Sequence, residues 1–212
     1  MVNVQAGSST IQVPKVFRIL IDVVKTNMKT EGLFRVEGRK TKEKAIVETL
    51  DKGDNMPDDV DAIEAASVIK KFLRNISGNL IPTDISQWFY EAGKVAPTKI
   101  DEALQLCVLL LPLRNLHLMV YLMEFFNEVT KQSGSNKMTS QNMAVVVAPN
   151  IFPEFKSNDL QVQLEMSNLT LTITKSLIEH QRDLPTVLAA LTNKLETLNE
   201  EVTSKSFYKC WS

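Results

Sequence analysis

Apolar residues recur at helical spacing along most of the chain. The first series follows Pro14, a residue suited to a first helical turn, and five more series come before residue 150. They comprise Val16, Ile19, Leu20, Val23 and Val24; Ala45, Ile46 and Leu50; Ile63, Ala66, Ile69, Phe72, Leu73 and Ile76; Ile100, Leu104, Cys107 and Leu111; Leu118, Leu122, Phe125, Phe126 and Val129; and Met143 to Ala148. The pattern predicts an all-α domain whose helices each bury one face.

Capping and breaking residues give the expected boundaries of these helices. Start signals are Thr41, Asp61 with Glu64, Thr98 with Asp101, Asn115 and Thr139. Stop signals are Gly53, Pro112, the turn at 134–136 and Pro149. The signals bracket the apolar series, so each series is expected to form a separate helix.

Residues 160–177 fit two periods. Leu160, Val162, Leu164 and Met166 alternate with polar residues, which is typical of a strand. Met166, Leu169, Ile173 and Leu177 instead fit a helix. Since no other strand is evident to pair with and an isolated strand would be unstable, we predict a helix.

Three regions are expected along the chain. Residues 1–12 are polar and small and predict an N-terminal tail, and residues 13–182 form the helical domain. In 183–212 an amphipathic helix is predicted, followed by a short tail. Its heptad positions are Leu184, Leu188, Leu191, Leu195, Leu198 and Val202. This seam over 184–202 either mediates self-association as a coiled coil or folds back on the domain, and the sequence leaves both open.

Composition limits the class of protein. With 212 residues and 44% hydrophobic content, the chain can bury one full core. A net charge of -1 excludes the broad basic field that nucleic-acid binding usually needs. The two cysteines, Cys107 and Cys210, have no disulfide or metal spacing, which favours a cytoplasmic protein. We expect neither a transmembrane segment nor a signal peptide, because no apolar run is long enough.

The loop Glu31–Gly38, here called the arginine loop, is the strongest candidate for function. It places Arg35 between Gly32 and Gly38. A guanidinium is always cationic and presents a planar fork of donors, so an arginine on a glycine-hinged loop can reach an anion on a partner. The alternative is that its stem only covers apolar surface.

A second candidate lies on the predicted third helix. Lys70 and Arg74 are four residues apart, so they share one face, with Lys71 nearby. No residue three or four positions from Lys70 or Arg74 is acidic. Like charges at that spacing cost about 0.2 to 0.5 kcal/mol, which suggests a compensating contact from outside the helix. The alternative is a solvated basic face.

Sites for independent catalysis are missing from the sequence. There is no G-x-x-x-x-G-K-[ST] loop, so the chain is not expected to hold its own nucleotide. His117 and His180 lack partners at metal or catalytic spacing, and no serine stands in a G-x-S-x-G turn. We therefore expect no metal, no cofactor and no enzyme active site.

Five motifs in one order resemble the Rho-type GTPase-activating protein (RhoGAP) domain over residues 13–180. They are Gly32-Leu-Phe-Arg35-x-x-Gly38, Ala66-Ser-Val-Ile-Lys70-Lys-Phe-Leu-Arg74, Leu111-Pro112-x-x-Asn115, Asn136-Lys137-Met138-Thr139 and Asn142-Met-Ala144-Val-Val-Val-Ala-Pro149-Asn150. The chain departs from the family pattern at Glu37, at Ile63, in the proline-free turn 75–79, and at Ala148.

The resemblance implies an all-α domain that binds GTP-loaded Rho- or Rac-type small GTPases and accelerates their GTP hydrolysis. Arg35 would be the arginine finger, inserted in trans, while the nucleotide and Mg²⁺ would belong to the partner. Lys70, Arg74 and Asn150 match positions that contact the GTPase or steady the site. The alternatives are a module with the same fold that binds a GTPase without accelerating hydrolysis, and a helical adaptor assembled through the C-terminal seam.

Overall fold

The computed structural model describes residues 1–6, 9–54, 56–57 and 59–180, and most of them are helical. The strands are β1 Val2–Ala6 and β2 Ser9–Val13. The helices are α1 Lys15–Lys25, α2 Lys40–Lys52, α3 Ala62–Arg74, α4 Thr83–Gly93, α5 Ile100–Leu109, α6 Leu113–Thr130, α7 Ser133–Asn136, α8 Ser140–Ile151 and α9 Leu160–Glu179. The prediction of an all-α class is confirmed, with one added hairpin.

Several predicted boundary signals have the expected geometry. Asp61 and Glu64 form a reciprocal capping box at the start of α3. Thr139 accepts a hydrogen bond from the Asn142 N–H at the start of α8. Gly53 ends α2 in the left-handed conformation, with φ of 75°. The predicted cap Thr41 is wrong, because α2 already begins at Lys40.

Strands β1 and β2 pair antiparallel where the sequence predicted a polar tail up to residue 12. Val2 pairs with Val13 and Val4 with Ile11. Val4, Ala6, Ile11 and Val13 are buried, so one face of the hairpin joins the core. Helical spacing does not reveal this short alternation of small apolar and polar residues, because the alternation has a period of two residues.

Helix α4 was not predicted, and Asn115 has a different role from the expected one. α6 begins at Leu113 after Pro112, so Asn115 lies inside the helix and is not its cap. Its side-chain amide donates to the carbonyls of Asn79 and Leu80, at 3.1 and 2.8 Å. Asn115 therefore stabilises the turn that connects α3 to α4.

Helices α8 and α9 test two further predictions. Pro149 was expected to end α8, but it lies inside the helix, which continues to Ile151. A proline two residues before the end removes only the bond to Val145, whose side chain is half exposed. The helical interpretation of 160–177 is confirmed, because α9 covers that range and buries Ile173 and Leu177.

Helix α6 runs through the core and supports the arginine loop. Its buried residues are Leu116, Leu118 to Met123, Phe125, Phe126 and Val129. No helix within the described residues has both the length and the apolar content needed to cross a bilayer. The predicted C-terminal amphipathic helix, 183–212, and its seam, 184–202, lie outside the described residues, so self-association stays a prediction.

Candidate functional site

The arginine loop is a tight turn held by backbone hydrogen bonds. The N–H groups of Arg35 and Val36 donate to the Gly32 carbonyl at 2.9 and 2.7 Å. Gly32 has φ of 76°, and a Cβ added there would lie 2.6 Å from Val36 Cγ2. Its own N–H donates to the carbonyl of buried Asn136 at 3.0 Å. Glycine at 32 is therefore required by the turn itself.

Phe34 attaches the loop to the core and turns Arg35 outward. Its ring is fully buried and makes edge contacts with Phe125 and Phe126, at centroid distances of 6.0 and 5.5 Å. Phe34 also has φ of 66°, a conformation that costs a bulky residue about 1–2 kcal/mol and persists because burial outweighs it. Burial of Phe34 leaves its neighbour Arg35 exposed.

The Arg35 guanidinium has no acidic partner among the residues that the structure describes. Within residues 1–6, 9–54, 56–57 and 59–180, its side chain makes no hydrogen bond and no ion pair. An unpaired guanidinium keeps its full set of donors free for an anion on another molecule. Chemically the residue can supply positive charge and several hydrogen bonds, and its loop supplies a defined position.

Lys70 supports the arginine loop from α3. Its ammonium donates to the Phe34 carbonyl and to Glu37 Oε1, both at 2.8 Å. The Lys70 side chain is 11% exposed, while that of Glu37 is 76% exposed. The counterion missing from the helix therefore comes from the loop, at a position where the chain departs from the family pattern.

Arg74 and Asn150 join α3 to α8. Arg74 Nε donates to Asn150 Oδ1 at 3.0 Å, and Asn150 Nδ2 donates to the Val146 carbonyl at 2.7 Å. Asn150 is 3% exposed, whereas Arg74 is exposed. The buried amide therefore orients an exposed guanidinium at the same edge as Arg35's loop.

These contacts form a polar face on α3 with a concavity beside it. Glu64, Ser67, Lys70 and Arg74 follow one another at spacings of three and four, so they lie along one side of the helix. The concavity, about 490 Å³, is lined by Glu37, Lys40, Glu43, Ser67, Lys70, Lys71 and Arg74. It combines four cations with two carboxylates and suits a charged protein surface rather than an apolar ligand.

Comparison with known proteins identifies the family. A family model described as RhoGAP domain matches residues 14–156. This chain belongs to the RhoGAP domain family. The match spans both the arginine loop and Asn150, so all four predicted site residues lie in the RhoGAP domain.

Curated relatives and solved structures agree with that assignment. Rho GTPase-activating protein 18 of Mus musculus is 32% identical over 187 residues, covering 83% of this chain and 28% of the relative. Protein gacY of Dictyostelium discoideum, a Rho GTPase-activating protein, is 33% identical over 135 residues, 62% of this chain and 19% of the relative. The chain thus spans less than a third of these relatives.

Two crystal structures share the fold. The BH domain from Graf, the GTPase regulator associated with focal adhesion kinase, gives a TM-score of 0.73 at 20% identity, covering 81% of this chain and 93% of that domain. Human Rho GTPase activating protein 15 gives 0.72 at 20% identity, covering 79% of this chain and 81% of that structure. At this identity the likeness shows the fold alone.

The four predicted site residues lie together in the structure, but sequence reasoning missed the residues that support them. The structure brings Arg35, Lys70, Arg74 and Asn150 to one edge. The supports that were missed are Arg39, Glu64, Ser67 and Asn136, together with the pairing of Glu37. Glu64 and Ser67 are polar residues three positions apart among mostly apolar neighbours, and this spacing was the signal that could have indicated them.

Titratable groups with shifted pKa values lie mainly on α5 and α6. Burial raises the pKa of Tyr121 to about 12, and burial also raises the pKa of the Cys107 thiol and of Glu124. Burial lowers the pKa of His117, whose Nδ1 accepts the Gln12 N–H of β2 at 3.3 Å. Within the described residues no group of three or more His, Cys, Asp or Glu is arranged to hold a metal ion.

Proposed function

We propose that this RhoGAP domain binds the GTP-loaded form of a Rho-family small GTPase and accelerates GTP hydrolysis by inserting Arg35 as an arginine finger. The observation that carries the proposal is that the exposed guanidinium of Arg35 has no partner in the described part of the chain and stands on a loop where the preceding residue, Phe34, is buried in the core. The partner supplies the nucleotide, the Mg²⁺ and the attacking water. The domain supplies one cation and no complete active site.

The chemical role follows from the charge of the transition state. Phosphoryl transfer spreads negative charge over the oxygens around the scissile bond, and a guanidinium held there stabilises it. For this class of reaction a finger supplied in trans is worth about 10³ to 10⁵ in rate, or roughly 4 to 7 kcal/mol. The gain requires a preset position, because ordering a mobile loop would consume part of it.

The other site residues have supporting roles in this proposal. Lys70 is buried and bonded to the loop, so it orients Arg35. Arg74, oriented by Asn150, and the neighbouring Lys71 and Lys40 form the charged rim that meets the partner. Rim charges of this kind govern association rate and salt dependence more than the chemical step. We place the activity in the cytoplasm, in keeping with the free, buried Cys107.

A single-turnover hydrolysis assay on a panel of GTP-loaded Rho-family GTPases tests the proposal. Wild type is expected to accelerate at least one member, and Arg35→Ala is expected to bind the same member while losing about 10³-fold or more of the acceleration. Arg18→Ala is the matched control, since Arg18 is an exposed arginine on α1, outside the site. Full acceleration by Arg35→Ala would refute the finger, and binding of wild type without any acceleration would favour the non-catalytic module.

A further inference from the structure

Arg39 and Glu64 make a second attachment of the arginine loop to α3. Arg39 Nε donates to Glu64 Oε1 at 2.6 Å, and Arg39 Nη2 lies 2.5 Å from the same oxygen in an ion pair. The Glu64 side chain is only 2% exposed, whereas that of Arg39 is 65% exposed. An unpaired charge in the interior is costly, so Arg39 stabilises the buried Glu64 carboxylate.

Glu64 is also held in place by bonds at the start of α3. Its Oε2 accepts the Asp61 N–H at 3.2 Å, and its own N–H donates to Asp61 Oδ1 at 2.9 Å. These bonds form the capping box of α3, and the positive end of the helix dipole favours a carboxylate there. Glu64 therefore presents a rigid acceptor, and Arg39 is the more exposed member of the pair.

The residue before Arg39 touches the same helix. The Gly38 N–H donates to Ser67 Oγ at 2.7 Å. A Cβ on Gly38 would lie 3.0 Å from the Cα of Glu64, so the backbone lies directly on α3. The loop is thus attached to α3 at Gly38 and Arg39, only three and four residues after Arg35.

We infer that Arg39 and Glu64 are positioning residues, and that the Arg39–Glu64 clamp holds the end of the arginine loop so that Arg35 alone is offered to the partner. The inference rests on the proposed function. Two arginines stand four residues apart in this region, but the charge of Arg39 is already paired with Glu64. Without the clamp the segment after Val36 would be free to shift, and a displacement of about 1 Å can cost about 10²-fold in rate.

Four variants separate positioning from binding in the single-turnover assay. Arg39→Ala and Glu64→Gln are each expected to lower the maximal rate about 10- to 100-fold, with the half-saturating concentration of activator unchanged within about twofold. Arg18→Ala is the matched control, because it removes an exposed arginine–carboxylate pair with Asp22 on α1, outside the site. A raised half-saturating concentration with an unchanged maximal rate would show that Arg39 contacts the partner and would overturn the inference.

The fourth variant removes the pair without leaving a buried charge. Arg39→Ala combined with Glu64→Leu replaces a buried carboxylate by an apolar side chain of similar size, which is often neutral or stabilising. Because Glu64→Leu also removes the bond to the Asp61 N–H, we expect the double variant to be more stable than Arg39→Ala, which leaves an unpaired buried carboxylate, while the maximal rate stays as low as in Arg39→Ala. Recovery of the wild-type rate together with the stability would show a merely structural role.

Hydrogen exchange decides the inference independently of any GTPase. The Val36 N–H is bonded to the Gly32 carbonyl and the Gly38 N–H to Ser67. In Arg39→Ala both amides are expected to exchange at least about tenfold faster, with no change in Arg18→Ala. Unchanged exchange would overturn the clamp even if the domain proved active. If wild type accelerates no GTPase yet exchange responds as expected, the proposed function fails and the clamp stands.

Discussion

Lys70 and Phe34 are joined by a 2.8 Å hydrogen bond in which a buried ammonium on α3 donates to the carbonyl that precedes Arg35. That carbonyl belongs to the peptide plane between Phe34 and Arg35, so the bond sets the direction in which the Arg35 side chain leaves the backbone. A lysine that the sequence suggested as a partner contact is thus largely occupied inside the domain. Its removal is expected to disturb the catalytic step before it disturbs association.

Replacing Lys70 by methionine tests this relationship, because methionine keeps the apolar stem and removes the ammonium. We expect Lys70→Met to lower the free energy of unfolding by about 1–3 kcal/mol, since the Phe34 carbonyl loses its partner. Urea unfolding measures this. Lys71→Met, at an exposed position one residue on, is expected to change stability by less than about 0.5 kcal/mol.

Kinetics of the same variant distinguish the two roles of Lys70. A lower maximal rate at a nearly unchanged half-saturating concentration would support an orienting role. The opposite result, weaker association with a normal maximal rate, would return Lys70 to the partner interface.

Gly32→Ala is expected to destabilise the domain more than Gly53→Ala. Both glycines have left-handed φ values, 76° and 75°, which cost alanine about 1–2 kcal/mol. Around Gly53 no atom lies within 4 Å of an added Cβ, whereas at Gly32 the Cβ would lie 2.6 Å from Val36 Cγ2. Thermal unfolding of the two variants therefore isolates the steric part of the cost, and equal losses would show that Val36 moves freely.

Arg74→Ala and Asn150→Ala are expected to weaken association in the same way. Loss of the exposed guanidinium, or of the buried amide that orients it, should raise the half-saturating concentration roughly two- to tenfold. The effect should be larger at low than at high ionic strength, because exposed charges are screened by salt. The double variant should resemble the stronger single variant. Additive losses would mean that the two side chains act separately.

Stability is expected to decrease in mild acid because of His117. Burial lowers its folded-state pKa below the unfolded value of 6.5, so the unfolded state binds the proton more readily. The stabilisation is complete above that pH and is lost as pH falls through the folded pKa. As pH falls through this range, the contribution of His117 to the free energy of unfolding decreases by at most about 1.4 kcal/mol per pH unit.

His117→Asn provides the comparison, because asparagine keeps an acceptor for the Gln12 N–H and does not titrate. Urea unfolding at a series of pH values should show a smaller decrease below about pH 6.5 for the variant, and parallel curves above it. Burial raises the carboxyl pKa of Glu124, so Glu124 contributes more to stability as pH falls, but this contribution is the same in wild type and variant. Identical curves throughout would contradict the prediction.

Local signals in the sequence were sufficient for most of the helices. The capping box at Asp61 and Glu64, the cap at Thr139 and the end of α2 at Gly53 depend on residues within four positions of one another. Such contacts form inside a single helix turn, so they can be inferred from spacing. The family motifs likewise identified Arg35, Lys70, Arg74 and Asn150 as one group.

What the sequence by itself determined is therefore the helical class, the family and the position of Arg35 on a loop between two glycines. Only the tertiary structure decided that β1 and β2 pair, that Asn115 supports a distant turn, and that Lys70 and Glu64 are buried against the arginine loop. These contacts link residues 25 or more positions apart in the sequence, or strands whose short alternation of apolar and polar residues has no helical period. Their energies come from burial and from pairing charges across elements, which spacing along one helix does not reveal.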